Sequence, residues 1–368
     1  MAEQSDVAGR RRRLVSQTEQ SNSSSLIPQI GHDLSINCLA RCSRSDYGSI
    51  ASVNRSFRSL IRSGELYWLR RQMGIVEHCV YFSCNPCQWL CFDPVGIQWM
   101  HLPRLTLNCF TLSDIDLLAV GTELLVFGRE FTSHEIYKYS ILTKSWSLGS
   151  EMNEPRCLFG SASLGEIAIV AGGSDPEGNI LSSAEIYNLD TGTWASLPRM
   201  NRPRTKCSGV FMDGNFYVVG GNEVGILGQN VLTCGEMYDL ETRTWHVIPN
   251  MFPARHRVYE APPLLAVVKN ELYAAFDKEN EVRKYDKGRN LWSTVGNLPE
   301  RAVRIGGWGM ALRAYGDQLI LIVSELSRGG IEVYDCVLDE GPLQWSLLTF
   351  NDEPSLGALV TNCTVMSC

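Results

Sequence analysis

The 368-residue chain has no run of eighteen apolar residues and no apolar core near Met1 of the kind a signal peptide needs. Both absences point to a soluble protein of the nucleus, the cytoplasm or both, with no membrane partner. Six histidines, at 32, 78, 101, 134, 246 and 256, show no metal-ligand spacing, and neither a Gly-rich phosphate loop nor a nucleophile elbow occurs. Titratable pairs suited to acid–base work are also lacking, so no catalytic residue, metal or cofactor is expected. The 13 cysteines are odd in number and scattered, which argues for reduced thiols rather than a disulfide framework. One cluster, Cys79, Cys84, Cys87 and Cys91, contains a Cys-x-x-Cys pair. A structural zinc site usually adds a second pair or histidines, so these residues read as packing thiols.

Charge is divided unevenly. Residues 1 to 75 carry 11 Lys+Arg against 6 Asp+Glu, a balance of +5, and the remainder carries 22 against 34, a balance of −12, which together give −7. An acidic body of that size is a poor candidate for nucleic acid.

What the chain has in abundance is a repeat. An aromatic residue is followed seven positions later by Trp at Phe92/Trp99, Tyr139/Trp146, Tyr187/Trp194, Tyr238/Trp245 and Tyr285/Trp292, while Tyr334 reaches Trp345 after four extra residues. The six tryptophans lie 47, 48, 51, 47 and 53 residues apart. Between Leu158 and Arg204, four short apolar runs are separated by turn signals, and none is long enough for a helix. A four-stranded unit with this period resembles the blade of a kelch-repeat β-propeller, and the resemblance covers roughly residues 78 to 366. Five second strands end on small residues or their substitutes: Phe127-Gly128, Ala171-Gly172-Gly173, Val219-Gly220-Gly221, Ala274-Ala275-Phe276 and Val323-Ser324. The tyrosines and tryptophans are large enough to fill the wedge between blades, and so read as core.

Strand counting predicts closure. Only three strands, near 78–82, 88–92 and 97–101, precede the first full blade at about Ile115, and the alternating segment 357–366 supplies the fourth. The expected fold is therefore mainly β: a six-bladed propeller over 77–368, its first blade completed by the C-terminal strand so that no sheet edge stays open.

Ahead of it, residues 1–25 are rich in Ser, Gln, Asn and Arg and lack the apolar side chains that would offset ordering. The run Arg10-Arg11-Arg12-Arg13 reads as solvated tail charge, with nuclear import as the alternative. Residues 26–76 change to helical periodicity. Pro28 opens a helix with Ile30, Leu34, Cys38 and Leu39 on one side, Ser45 is placed to cap a short helix burying Ile50 and Val53, and Phe57, Leu60 and Ile61 follow on another. Leu26-Ile27-Pro28, Cys38-Leu39 and the run from Val53 to Ile61 resemble the F-box, and helices of this kind before a kelch propeller resemble plant F-box/kelch proteins. That resemblance implies docking of a Skp-type adaptor, and through it a cullin ubiquitin ligase, by Pro28, Ile30, Leu34, Cys38, Leu39, Ile50, Val53, Phe57 and Leu60, while the propeller holds a protein substrate. The competing role for these residues is local helix core.

One further repeat concerns partners. Arg156, Arg204, Arg255 and Arg301, with Arg304 nearby, each begin the crossing into the next blade. Such a ring offers forked donors to a substrate's carboxylates or carbonyls, and bracing of the crossings is the competing role. The irregular segments Ser174–Ser182 and Asn222–Thr233 fall on the same face and are expected to select the partner. Two functions follow: a substrate receptor of a ubiquitin ligase, or a scaffold or metabolite-binding propeller outside one.

Overall fold

The computed structural model describes residues 26–27, 30–85, 88–105, 115–129, 134–225, 228–253, 260–300, 307–324, 330–338, 341–351 and 362–367. Pro28, the Arg10–Arg13 run, Cys87, Arg255, Arg301 and Arg304 lie outside the described residues, as does the side chain of Cys84. The chain divides into two compact units, the first ending at Glu77 and the second running from His78 to Ser367.

The first unit is helical: α1 (His32–Ala40), a 3₁₀ turn (Arg44–Asp46), α2 (Tyr47–Val53), α3 (Arg55–Ser63) and α4 (Glu65–Gln72). Helix α3 begins where the Asn54 side chain accepts the Phe57 N–H at 2.9 Å, and it ends at Gly64, whose φ of 82° favours glycine. Ile36, Leu39, Ala40, Tyr47, Leu60, Ile61, Leu66 and Tyr67 form its core. The expected helix capped by Ser45 instead starts at Tyr47, and Val53 stays 68% exposed. The reason is that Tyr47 takes the inward position, edge-on to Tyr67 at 5.7 Å between ring centroids. At the centre sits Arg70, wholly buried, donating to the carbonyls of Ala40 (3.0 Å) and Cys42 (2.6 Å) and pairing with Glu77 at 2.8 Å. Burial acts to lower its pKa, but the bonds and charges of Glu77 and Tyr47 outweigh it and hold the guanidinium above its ordinary value.

The second unit is a six-bladed propeller of four-stranded antiparallel sheets. From the axis outward, blade 1 contains Asn362–Ser367, His78–Asn85, Gln88–Asp93 and Gln98–His101. Blade 2 contains Asp116–Val120, Glu123–Arg129, His134–Ser140 and Ser145–Leu148; blade 3, Gly160–Leu164, Ile167–Ala171, Ala184–Asn188 and Thr193–Leu197. Blade 4 contains Ser208–Met212, Asn215–Val219, Gly235–Asp239 and Thr244–Ile248; blade 5, Leu264–Val268, Glu271–Phe276, Glu281–Asp286 and Leu291–Asn297. Blade 6 contains Met310–Tyr315, Gln318–Ser324, Ile331–Val337 and Ser346–Asn351. Second strands such as IAIVA and NFYVV are buried on both faces, because adjoining blades cover them.

The repeated aromatics join blade to blade. Tyr187 and Trp194 are direct cross-strand partners with ring centroids 5.0 Å apart, and Tyr238/Trp245, Tyr285/Trp292, Tyr139/Trp146 and Phe92/Trp99 repeat the pairing. Each indole N–H then donates to the preceding blade or the crossing that leaves it: Trp146 to Pro103 O, Trp194 to Ser150 O, Trp245 to Pro198 O, Trp292 to Met251 O and Trp345 to Asn297 O, at 2.7–3.1 Å. Trp99 closes the series at Thr349 Oγ1 of blade 6, at 3.3 Å. These indoles therefore join large apolar area to a directed bond worth about 1 kcal/mol each.

The C-terminal strand fills the place that strand counting left empty. Asn362–Ser367 pairs antiparallel with His78–Ser83, His78 facing Ser367 and Phe82 facing Cys363. On its flanks it neighbours the inner strands of blades 6 and 2. Arg313 Nε donates to Cys363 O at 3.0 Å from one side, and Thr364 Oγ1 accepts Ala119 N–H at 3.3 Å from the other. Deletion of 362–368 should abolish cooperative unfolding and yield aggregates, because it opens the inner edge of blade 1 and uncovers Val80 and Phe82. Size-exclusion chromatography and a thermal melt check this, and a monomer with the full chain's transition would overturn the closure.

Candidate functional site

In each blade the turns joining strands one to two and three to four lie on one face, and the two-to-three loops and the crossings lie on the other. The two described arginines of the ring, Arg156 and Arg204, belong to the second face, but they do not present themselves on it. Arg156 is 1% exposed and Arg204 is 0% exposed. Arg156 Nη1 donates to Gly172 O (3.1 Å) and Ser183 O (2.8 Å), and Nη2 meets Glu185 Oε1 at 2.8 Å. Arg204 repeats this one blade on, with Gly220 O (2.9 Å), Cys234 O (3.1 Å) and Glu236 Oε1 (2.7 Å). The assignment of these two arginines to a substrate-binding face is therefore corrected: their forks are occupied inside the protein, and they brace the crossings. Burial lowers the Arg156 pKa, with Glu185 opposing.

The carboxylates complete the brace. Glu185 also accepts Asn153 N, Asn153 Nδ2 and Glu154 N, and Glu236 accepts Asn201 N, Asn201 Nδ2 and Arg202 N, all within 3.0 Å. Each glutamate thus gathers one incoming crossing. Sequence reading missed both, although each stands two residues before the repeat tyrosine, in Ala184-Glu185-Ile186-Tyr187 and Gly235-Glu236-Met237-Tyr238. The glycine doublets belong to the same device. Gly173, at φ 94°, donates its N–H to Arg204 O at 2.8 Å, and a Cβ there would come within 2.6 Å of Cys157 O. Glycine is needed so that successive crossings can approach the loop backbone.

Two segments stand out on this loop face. In blade 3, Asp175 accepts from Asn179 through N (2.7 Å) and Nδ2 (2.8 Å), which closes a compact loop. In blade 4, the segment expected to be irregular is instead a hairpin, Asn222–Gly225 with Gly228–Val231, rooted by paired bonds between Asn222 and Thr205. Val224 on it is 72% exposed, and Arg202 is paired with Glu223 at its base.

Around the axis lies a cavity of about 330 Å³, bounded by the inner strands of all six blades. Among the described residues, Asp116 and Arg313 are the charged residues on its wall, and Arg313 is engaged with the carbonyls of Cys363 and Leu312. The first-blade cysteines sit elsewhere: Cys79 and Cys91 are buried in the sheet, opposite Met366 and Tyr81 respectively.

The helical unit offers a different surface. Leu34 is 61% exposed, Cys38 and Val53 are exposed too, and Ile30, Ile50 and Phe57 are half-buried. Leu39 and Leu60, also expected to contact the adaptor, are buried within the unit, because helical spacing turns them onto the inward sides of α1 and α3. They are corrected to packing residues. Trp68, 61% exposed on α4, was not singled out from the sequence. Its neighbours Leu66 and Tyr67 are both buried, so its own outward position needed the helix phase to be read.

Helices with apolar side chains left in solvent, joined in one chain to a closed propeller, define a protein built from an F-box and kelch repeats. The F-box domain family matches residues 27–69, and the Kelch motif family matches 155–201 and 203–252. Over 364 residues the chain is 54% identical to the F-box/kelch-repeat protein At1g74510 of Arabidopsis thaliana, covering 94% of this chain and 80% of that one. Over 363 residues it is 56% identical to the F-box/kelch-repeat protein SKIP11 of the same plant, covering 95% and 77%. The chain belongs to the F-box/kelch-repeat family.

The two kelch matches take in the blades where the Arg–Glu brace and glycine doublet are intact. Glu236→Ala should cost about 3–5 kcal/mol, since it strands the buried Arg204 charge. Arg204→Ala combined with Glu236→Ala should cost less than the sum of the two single variants. Urea unfolding of the purified chain checks both, and strictly additive losses would show that the pair is not coupled.

Proposed function

We propose that this protein is a non-catalytic substrate receptor of a Skp–cullin–F-box ubiquitin ligase. Its helical unit docks a Skp-type adaptor, and its propeller holds the protein to be ubiquitinated. The observation that carries the reading is the outward apolar set Leu34, Val53 and Trp68 on a unit with a small core of its own. Large apolar side chains of this kind on a minor domain mark a protein-docking surface. Membership of the family supports the same role, and so does the loop face of the propeller, where the blade 3 loop and the Asn222–Val231 hairpin depart from the regular blade. We place the activity in the nucleus, the cytoplasm or both.

On this reading Arg156 and Arg204 are part of the frame, and partner choice rests with the loops that the frame carries. Leu34→Asp and Val53→Asp should each abolish co-purification with a Skp-type adaptor. Thermal unfolding should hardly shift, because exposed substitutions usually stay within about 0.5 kcal/mol. Failure of the unsubstituted chain to bind any such adaptor would overturn the proposal and favour a kelch scaffold acting outside a ligase.

A further inference from the structure

Helix α3 carries its charge on one side. Arg55, Arg58 and Arg62 follow one another at spacings of three and four, so they form a ridge along one face, and all three are exposed. Leu60 falls on the opposite face and Ile61 on its flank, three residues from Arg58, and both are buried in the unit. Among the described residues, no carboxylate pairs with any of the three arginines. Arg58 reaches only the carbonyl of Ala51, at 3.1 Å from Nε.

Helix stability does not explain this placement. The first turn of α3 holds no acidic residue and begins with Arg55, where the positive end of the helix dipole disfavours a cation. A solvated helix face would normally mix signs or place acids there, at a gain of a few tenths of a kcal/mol. The ridge begins two residues after Val53, across the Asn54 cap that separates α2 from α3. Across residues 30–77, seven arginines face four carboxylates (Asp33, Asp46, Glu65 and Glu77), a balance of +3, in a chain whose remainder from residue 78 carries 22 Lys+Arg against 33 Asp+Glu, a balance of −11. One chain thus presents a basic docking unit alongside an acidic propeller.

We infer that the partner surface meeting α3 is acidic, and that Arg55, Arg58 and Arg62 steer it onto the apolar set at Leu34 and Val53. The inference rests on the proposed adaptor docking and specifies the chemistry of the adaptor's contact face: carboxylates arrayed to meet guanidinium forks. Complementary fields act mainly on the rate of encounter, while the apolar contacts govern how long the complex lasts. A polyanionic nucleic acid would also meet a basic ridge, but it has no use for exposed Leu34 and Val53 and would be repelled by the propeller.

The test uses the full-length chain and a purified Skp-type adaptor, with association and dissociation rates followed across a salt series. The variant Arg55→Glu with Arg62→Glu keeps Arg58 and its bond to Ala51. Its association should be about tenfold slower at low salt, with dissociation changed less than twofold. The gap should close as the Debye length falls from about 10 Å at 0.1 M toward about 3 Å at 1 M. Equal association rates for both proteins at low salt would overturn the inference while leaving the receptor reading intact. Tight binding of a nucleic-acid duplex that the same reversal abolishes would overturn it in favour of the other partner. If the unsubstituted chain binds no adaptor, the receptor reading fails and this inference fails with it. A silent charge reversal in a chain that does bind removes the inference alone.

Discussion

The constraint on which the propeller depends is closure of its inner ring. Each inner strand offers one edge to its own blade and borders the axis and two neighbouring blades, so an incomplete first blade would expose hydrogen-bonding groups and the apolar side chains of Val80, Phe82 and Phe92 together. Asn362–Ser367 removes that edge by pairing with His78–Ser83. Closure ties residues nearly 290 positions apart, as in the hydrogen bond between His78 and Ser367 at 2.7 Å. Such a contact is formed late in synthesis and at a high cost in loop entropy, which the apolar contacts of the whole ring must offset. The indole bonds hold the outer wedges, and the Arg–Glu braces hold the crossings.

The parts of this architecture that were legible in the sequence are those set by a repeated local pattern. Tyr187 and Trp194 fall opposite each other because a seven-residue spacing across a tight turn imposes that register, and five blades share it. The missing strand could be counted for the same reason. The direction taken by a polar side chain was not legible. Arg156 and Arg204 stand in crossings of irregular structure, where no periodicity says whether a guanidinium turns inward or outward. Their inward turn is decided by glutamates about thirty residues away, Glu185 and Glu236. The same limit affected the helices. Leu39 and Leu60 look equivalent to Leu34 and Val53 in a short apolar pattern, and the phase of each helix against the packed unit settles which of them it covers.

Burial of the Arg–Glu pairs says something about how recognition can vary in this fold. A buried ion pair contributes little net stability compared with well-packed apolar residues, but it is specific, because each donor must find its acceptor. Here Arg156 reads two carbonyls and a carboxylate at once, and Glu185 reads the backbone of the incoming crossing, so one register of crossing against blade satisfies every group. With the crossings held in this way from below, the compact loop at Asp175–Asn179 and the hairpin at Asn222–Val231 are anchored at their bases by backbone bonds. Their outward residues are then released from any structural duty, and changes at positions such as Val224 leave the frame untouched.

The same residue type serves opposite ends in the two units, and solvent decides which. Inside the propeller, a guanidinium surrounded by carbonyls and a carboxylate is shut off from solvent, so its charge works within the fold. On α3, the guanidiniums of Arg55, Arg58 and Arg62 keep their donors in water, and their field extends outward over a Debye length. Arginine suits both positions because it stays charged in either and binds planar acceptors in forks. The separation of charge along the chain, +5 up to residue 75 and −12 beyond it, then acts as a sorting device. On the proposed reading, an acidic partner would be attracted to the helices and turned away from the propeller, leaving the propeller's loops to a different protein.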